Sequence, residues 1–421
     1  MARKLLQILK NPYFFSVVAK VFGVFGAFLF TIFQARFLGA EIKGQVATVN
    51  SIASVTYIIF SWGIYQAYPF YKKNEGRDLL PVFMRMSLLM FTGYMVLAVA
   101  SIFIFQLSLK YAAVFVLTPL WSYETIVSYV TLIEEPNRRN FTGMIVVVAE
   151  IVLVVVLWIF AKPSFLIGLF IITIKAILQS IIFTFWWRKR IFSGMDSVWE
   201  WFPKVIRFGF FPMLSLLMAT LNYRIDVIML DGRVADAAIG VYSVGVLIAE
   251  RLWMIPDALK GVLASNLAKG KDVSEVAFVI RLCNSGCLLL MLAMIALGKP
   301  FVTLIFGPEF ADAYQIILIL LLGVFSMIYY KSISVYNIVM GKQMLTFILL
   351  TVGVLANIVS NLIMIPRWGI YGAGYASVIS YSLCGVMFII YFCHSTHIPF
   401  RQMLLVRKSD IRKAMHYLKR K

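Results

Sequence analysis

Continuous apolar runs, each about as long as a bilayer crossing, repeat along the whole chain and decide what it can fold into. A crossing helix needs ~20 predominantly apolar residues. Twelve such runs occur, at about 13–38, 44–70, 82–106, 111–132, 142–161, 164–187, 205–230, 239–262, 277–306, 313–340, 345–366 and 371–393. Only 14% of the 421 residues are charged and 62% are hydrophobic, against roughly 25% charged in soluble domains. That is more apolar surface than one aqueous core can hide. A transmembrane β-barrel would alternate polarity within ~10-residue segments, whereas these runs are unbroken. The expected fold is an all-α polytopic membrane protein with twelve transmembrane helices. The ninth run is longer than a bilayer needs and is expected to tilt or break near Gly298–Pro300.

Lysine and arginine fall unevenly on alternate connections, which orients the stack. One set holds Arg3, Lys4 and Lys10; Lys72, Lys73 and Arg77; Arg138 and Arg139; Arg188, Lys189, Arg190 and Lys204; Lys269 and Lys271; Lys342; and the tail. The other offers Lys43, Lys110, Lys162, Arg233 and Arg367, about one per loop. Both termini are therefore expected on the cytoplasmic side. The opening MARKLLQILKNPYFF is basic, but the run after it is too long for a signal h-region, so it reads as a retained first helix. Much of the +20 formal charge then serves topology. The tail carries Arg401, Arg407, Lys408, Arg412, Lys413, Lys419, Arg420 and Lys421, and suits an anionic inner leaflet. Nothing else points to nucleic acid, and no such partner is expected. The four cysteines (Cys283, Cys287, Cys384, Cys393) lie in or beside apolar runs and read as buried or unpaired thiols. Metal binding would need more ligands than Cys283 and Cys287 supply, and no cofactor is expected.

The longest polar connection, RKRIFSGMDSVWEWFPK at 188–204, separates six runs from six, as in transporters built from repeats. It implies an N-terminal lobe (1–190), a cytoplasmic linker (191–204), a C-terminal lobe (205–393) and a basic tail (394–421). Trp187, Trp199 and Trp201 around the linker suit an interfacial segment. Three motifs carry a resemblance. They are Asp226-VIMLDGRVADAAI-Gly240-V-Tyr242, FGPEFADA at 306–313, and Asn357-IVS-Asn361-LIMI-Pro366-RW-Gly369-IY-Gly372-Ala373-GY-Ala376. In this order, residues 205–390 resemble the C-terminal half of the polysaccharide (oligosaccharide-lipid) flippases. Their exporter superfamily also holds multidrug and toxic-compound extruders. The N-terminal half is similar mainly in topology and in the turn RFLGAEIKGQ at 36–45.

The resemblance implies two six-helix lobes around a central cavity that alternates between inward-open and outward-open forms. It implies a polyprenyl-(pyro)phosphate-linked oligosaccharide as substrate, carried from the cytoplasmic to the outer leaflet of a bacterial plasma membrane. Other polysaccharide-assembly proteins are the partners it suggests. Coupling to a proton gradient, a sodium gradient or the membrane potential is left open. The glycines of the last motif suit tight turning and close helix approach. Pro366 is expected to end the preceding helix, and Asn357 and Asn361 to bond across helices or meet ligand.

An ionised side chain at the bilayer centre costs roughly 2.5–3.5 kcal/mol on insertion scales, so charges inside these runs must pair or face water. Candidates to hold an anionic head group are Arg251, Lys331, Arg224 and Lys175; the cavity or ion-coupling carboxylates are Asp226, Glu250, Asp257 and Glu124. Arg224 either contacts substrate or snorkels to the outer interface, and Asp226 either bonds a neighbouring helix or takes a proton. Glu250 and Asp257 share a face, Pro256 between them should bend the eighth helix and free a carbonyl, and Lys260 should pair with Asp257. Lys175 either faces substrate or pairs with Glu124 or Glu150. Lys20, Arg36, Arg85 and Arg281 lie near run ends, where snorkelling is expected.

Rival readings stay open. A cation-coupled extruder of small amphipathic compounds would favour a cavity dominated by carboxylates. A flippase for a peptidoglycan or teichoic acid precursor obeys the same physics. A membrane-embedded polymerase or glycosyltransferase would normally bear a large extramembrane domain, and no catalytic dyad or phosphate-cradling loop is evident, so an enzyme is not expected.

Overall fold

Hydrocarbon offers the backbone no hydrogen-bond partners, so each crossing must satisfy its own N–H and C=O groups, as a helix does. The computed structural model describes residues 12–193, 197–270, 272–407 and 409–410. The opening basic cluster (Arg3, Lys4, Lys10), Lys271, Lys408 and the tail residues Arg412, Lys413, Lys419, Arg420 and Lys421 lie outside the described residues. The helices are α1 Pro12–Phe60, α2 Ile64–Glu75, α3 Leu80–Phe105, α4 Leu109–Glu134, α5 Pro136–Phe160, α6 Phe165–Ile191 and α7 Val198–Leu230. There follow α8 Asp236–Ala249, a 3-10 turn at Glu250–Trp253, α9 Met254–Ala268, α10 Ser274–Phe306, α11 Ala313–Val339 and α12 Gln343–Thr396.

Ten helical stretches among the described residues are long and apolar enough to cross a membrane. Two of them are divided, at Gly39 (φ 73°, ψ 171°) and at Gly369 (φ 55°, ψ −128°), which gives twelve crossings. Large apolar side chains such as Phe103, Ile104, Leu289 and Leu304 stand exposed along the crossings. In water such a surface would drive aggregation; against lipid it is the required outer coat. The protein is a multi-pass membrane protein.

Three details differ from the sequence expectation. Helix α12 continues past Pro366 and turns at Gly369, because a left-handed residue there needs no Cβ. Helix α10 runs unbroken through Pro300, where the Tyr314 ring covers Gly298 and the Tyr314 hydroxyl donates to the Ile295 carbonyl at 2.7 Å. The second crossing, by contrast, is interrupted at Trp62–Gly63. There the Gly63 and Gly209 backbones touch so closely that a Cβ on Gly209 would lie 2.3 Å from the Gly63 oxygen.

By packing, the chain forms two compact units that divide within α7, between Leu217 and Met218. The N-terminal unit includes a core of Tyr68, Phe83, Phe183, Trp187 and Trp201. Trp187 and Trp201 are thus packed inside the unit at 5% and 1% exposure, whereas Trp199 is 76% exposed. In the C-terminal unit, α11 packs on α8, α9, α10 and α12.

The start of the tail also belongs to this unit. Arg281 is not a snorkelling residue. It grips both carboxylate oxygens of Asp410 at 2.7 Å and donates to the Gln402 carbonyl at 2.6 Å. Asn284 donates to the carbonyls of Met403 and Leu404 at 3.0 and 3.1 Å, and the Met403 side chain is fully buried. Arg281 holds the Asp410 carboxyl below its ordinary value, with the Arg407 backbone N–H assisting. A depressed carboxylate stabilises above its unfolded value and loses that contribution as pH falls through its folded value. The latch should therefore be intact at neutral pH and open only under acid below the ordinary aspartate range. Asp410→Asn should destabilise it by ~2 kcal/mol, the scale of charged hydrogen bonds. The protection factors of amides across residues 402–407 against hydrogen exchange should fall at pH 7 in the variant and no longer respond to acid.

Candidate functional site

Span seven places Asn222 and Asp226 four residues apart on one face, the spacing that stacks two polar groups along a helix. Both are buried, at 0% and 1% exposure, inside the C-terminal unit. Asp226 accepts from its neighbour's Val227 N–H at 2.8 Å, from Ser377 at 3.1 Å and from the Tyr242 hydroxyl in a short bond. Asn222 accepts from Asn357 Nδ2 at 3.3 Å, and the Ser380 hydroxyl lies 2.5 Å from its Oδ1. Asn361 in turn donates to the Asn357 backbone carbonyl at 3.0 Å and, closely, to its side-chain oxygen. Three crossings, α7 and the two arms of α12, are thus joined by one polar seam, to which α8 adds Tyr242. Asn357 thus bonds across helices to Asn222, whereas Asn361 bonds back to Asn357 on its own helix.

The second constellation forms where the eighth crossing tightens into a 3-10 turn. Pro256 cannot bond the Leu252 carbonyl four residues back. The chain there tightens into the 3-10 turn Glu250–Trp253, and Leu252 O accepts from the Cys287 thiol at 3.3 Å instead. The turn brings Glu250, Arg251, Trp253 and Asp257 into one region. Glu250 lies 3.7 Å from the Arg224 guanidinium, so Arg224 is the partner of a carboxylate and does not snorkel. Trp253 donates to the Val324 carbonyl at 2.9 Å, which fixes its ring. The Lys331 ammonium, on a side chain only 8% exposed, rests 4.7 Å from that ring's centre and 5.9 Å from that of Tyr223. It lies 3.1 Å from each oxygen of Asp257. Lys260 approaches the same carboxylate at 2.8 Å, as the three-residue spacing implied.

In the N-terminal unit the Lys175 charge acts on both Glu124 and Glu150. Glu150 is buried at 7% exposure, Glu124 is half-buried, and Lys175 is exposed. The structure therefore gathers the eight candidates into three groups. Asp226 heads the polar seam. Arg224, Glu250, Arg251, Asp257 and Lys331 lie on or around the 3-10 turn and the helix after it. Glu124 and Lys175 sit apart with Glu150. The residues missed from the sequence are Asn222, Ser377, Ser380 and Trp253. The signal for the first three was small polar residues at three- and four-residue spacing on spans otherwise apolar.

No protein-family model matches the chain, and no curated protein matches it by sequence. Solved structures do match. An inward-facing multidrug resistance MATE family transporter of the MOP superfamily superposes with a TM-score of 0.67 at 11% identity, covering 88% of this chain and 94% of the other. The lipid II flippase MurJ, in an inward closed conformation, gives 0.67 at 16% identity over 93% and 89% of the two chains. A MOP superfamily transporter from Pyrococcus furiosus, with a binding pocket described as of reverse polarity, gives 0.61 at 14% identity over 93% and 97%.

Asn222→Ala should remove the side-chain acceptor that Asn357 and Ser380 share, leaving Asn357 on the residue 222 backbone carbonyl at 3.3 Å and Ser380 on the Gly353 carbonyl at 2.8 Å, at about 0.5–1.5 kcal/mol for the lost bonds. The thermal midpoint in detergent should fall, whereas Asn361→Ala at the end of the seam should lower it less. These structural neighbours are transporters and not enzymes, and the fold of this chain is that of the MOP superfamily transporters.

Proposed function

We propose that this protein is an alternating-access flippase for a polyprenyl-(pyro)phosphate-linked oligosaccharide, moving it from the cytoplasmic to the outer leaflet of a bacterial plasma membrane. Both termini lie in the cytoplasm, and the product feeds surface polysaccharide synthesis. The observation that carries this reading is Lys331, a buried ammonium in mid-helix set on Trp253 and Tyr223. A phosphate head group cannot cross hydrocarbon unaided, while its polyprenyl chain can stay in lipid. A cation fixed at depth answers that need, and Arg251 on the adjacent 3-10 turn supplies a planar fork suited to phosphate. Arg224 is engaged by Glu250 and tunes the charge of the region. Asp226, enclosed by Tyr242 and Ser377, is the coupling carboxylate for a proton or cation. The likeness to the lipid II flippase agrees with this reading at the level of fold.

The enclosed Asp226 equally suits a cation-coupled extruder of small amphipathic compounds, the second reading. The two separate in proteoliposomes holding a fluorescent polyprenyl-pyrophosphate-linked disaccharide, with leaflet exposure read by a membrane-impermeant quencher. Wild-type protein should accelerate exposure. Lys331→Ala and Arg251→Ala should each slow it at least ~10-fold, equivalent to ~1.4 kcal/mol, at unchanged insertion and melting temperature. Undiminished translocation with both cations removed would sink the flippase reading, and Asp226-dependent efflux of an amphipathic cation would replace it.

A further inference from the structure

Asp257 is placed as no ordinary structural counter-ion would be. It stands between two ammonium groups, Lys331 at 3.1 Å and Lys260 at 2.8 Å, and 40% of its side chain is exposed. Its two partners differ. Lys331 is 8% exposed, comes from mid-α11 and is seated on the Trp253 ring, which is itself tied to the Val324 carbonyl. Lys260 is 41% exposed, sits one turn further along α9 and travels with Asp257. The fixed member is therefore Lys331. The more exposed member is Asp257, which lies just beyond the 3-10 turn and Pro256, where the helix has lost a regular backbone bond.

From this geometry we infer that Asp257 is a built-in surrogate for the substrate's anionic head group. In the unloaded protein it neutralises Lys331. An arriving lipid pyrophosphate takes its place on Lys331, and Asp257 transfers wholly to Lys260. The exchange keeps Lys331 paired in both states, which a buried ammonium in a low-dielectric site requires. It also limits how tightly the head group is held, because each departing substrate is replaced by an internal carboxylate. Asp257 thus acts through Lys331 as a positioning residue that sets release. The inference rests on the flippase reading above and adds to it how the head group leaves.

The test uses the full chain in nanodiscs with radiolabelled geranylgeranyl pyrophosphate as the probe and inorganic pyrophosphate as competitor. Removing the surrogate with Asp257→Asn should tighten probe binding about tenfold, ~1.4 kcal/mol by the usual conversion. Inorganic pyrophosphate should gain by the same factor. In the proteoliposome assay the same variant should lower both the half-saturating substrate concentration and the maximal rate, because release slows. A merely structural role would weaken binding and leave no such split. Lys260→Gln, on a partly exposed side chain, should weaken probe binding by stranding Asp257 on Lys331. That effect should vanish in the Lys260→Gln, Asp257→Asn double variant, whereas simple long-range attraction from Lys260 would persist. Wild-type binding with an unchanged or weaker Asp257→Asn variant overturns the surrogate and leaves the flippase reading standing. Absence of probe binding by wild type and by Asp257→Asn overturns both.

Discussion

A lysine ammonium cannot be left bare in a low-dielectric interior, and the way Lys331 is satisfied governs the arrangement of the C-terminal unit around it. The carboxylate it needs comes from α9, the aromatic base from the 3-10 turn, and the second ring, Tyr223, from α7. They converge where the eighth crossing carries its 3-10 turn. Pro256 removes one backbone bond, the turn tightens at Glu250–Trp253, and the carbonyl left over is taken by Cys287. Backbone irregularity inside a membrane is tolerated only where protein re-satisfies it. Here that requirement and the assembly of the charged cluster have the same origin.

The polar seam solves a different problem with neutral groups. Asn222, Asn357, Asn361, Ser377 and Ser380 are all buried, and their bonds run between crossings as well as within them. In lipid, helices gain little by hydrophobic contact with one another, so close packing and interhelical hydrogen bonds hold a bundle together. Asp226 at the end of this seam is the exception, since a carboxylate is a stronger acceptor than packing alone demands. Its enclosure by Tyr242 and Ser377 distinguishes it from the charges around the 3-10 turn, where cations predominate.

The twelve crossings were legible because each is an apolar run of fixed minimum length, a one-dimensional property. Orientation of each charge was not. Arg281 looked like a snorkelling residue at a helix end because its partner, Asp410, is 129 residues away and no local pattern ties them. Trp187 and Trp201 looked interfacial for the same reason: a tryptophan beside a polar stretch has the same sequence context whether it meets head groups or a folded-back helix. The Asp257–Lys260 pair, three residues apart, was legible. That Lys331 shares the same carboxylate depends on which faces of α9 and α11 meet, and periodicity does not encode that.

Proline gave the least transferable signal. Pro256 follows a 3-10 turn, whereas Pro300 and Pro366 lie in α-helices that continue through them. The difference lies in the surroundings. Next to Pro300, Tyr314 covers Gly298 and bonds the Ile295 carbonyl, so the ladder is supported from outside. Beside Pro366, Gly369 absorbs the change of direction three residues later with a backbone angle proline does not need to supply. At Pro256 the Leu252 carbonyl left without its backbone donor is taken by the Cys287 thiol at 3.3 Å, and the preceding turn tightens. A proline inside a crossing is thus a point where the helix can yield, and the groups packed around it decide how its freed carbonyl is satisfied.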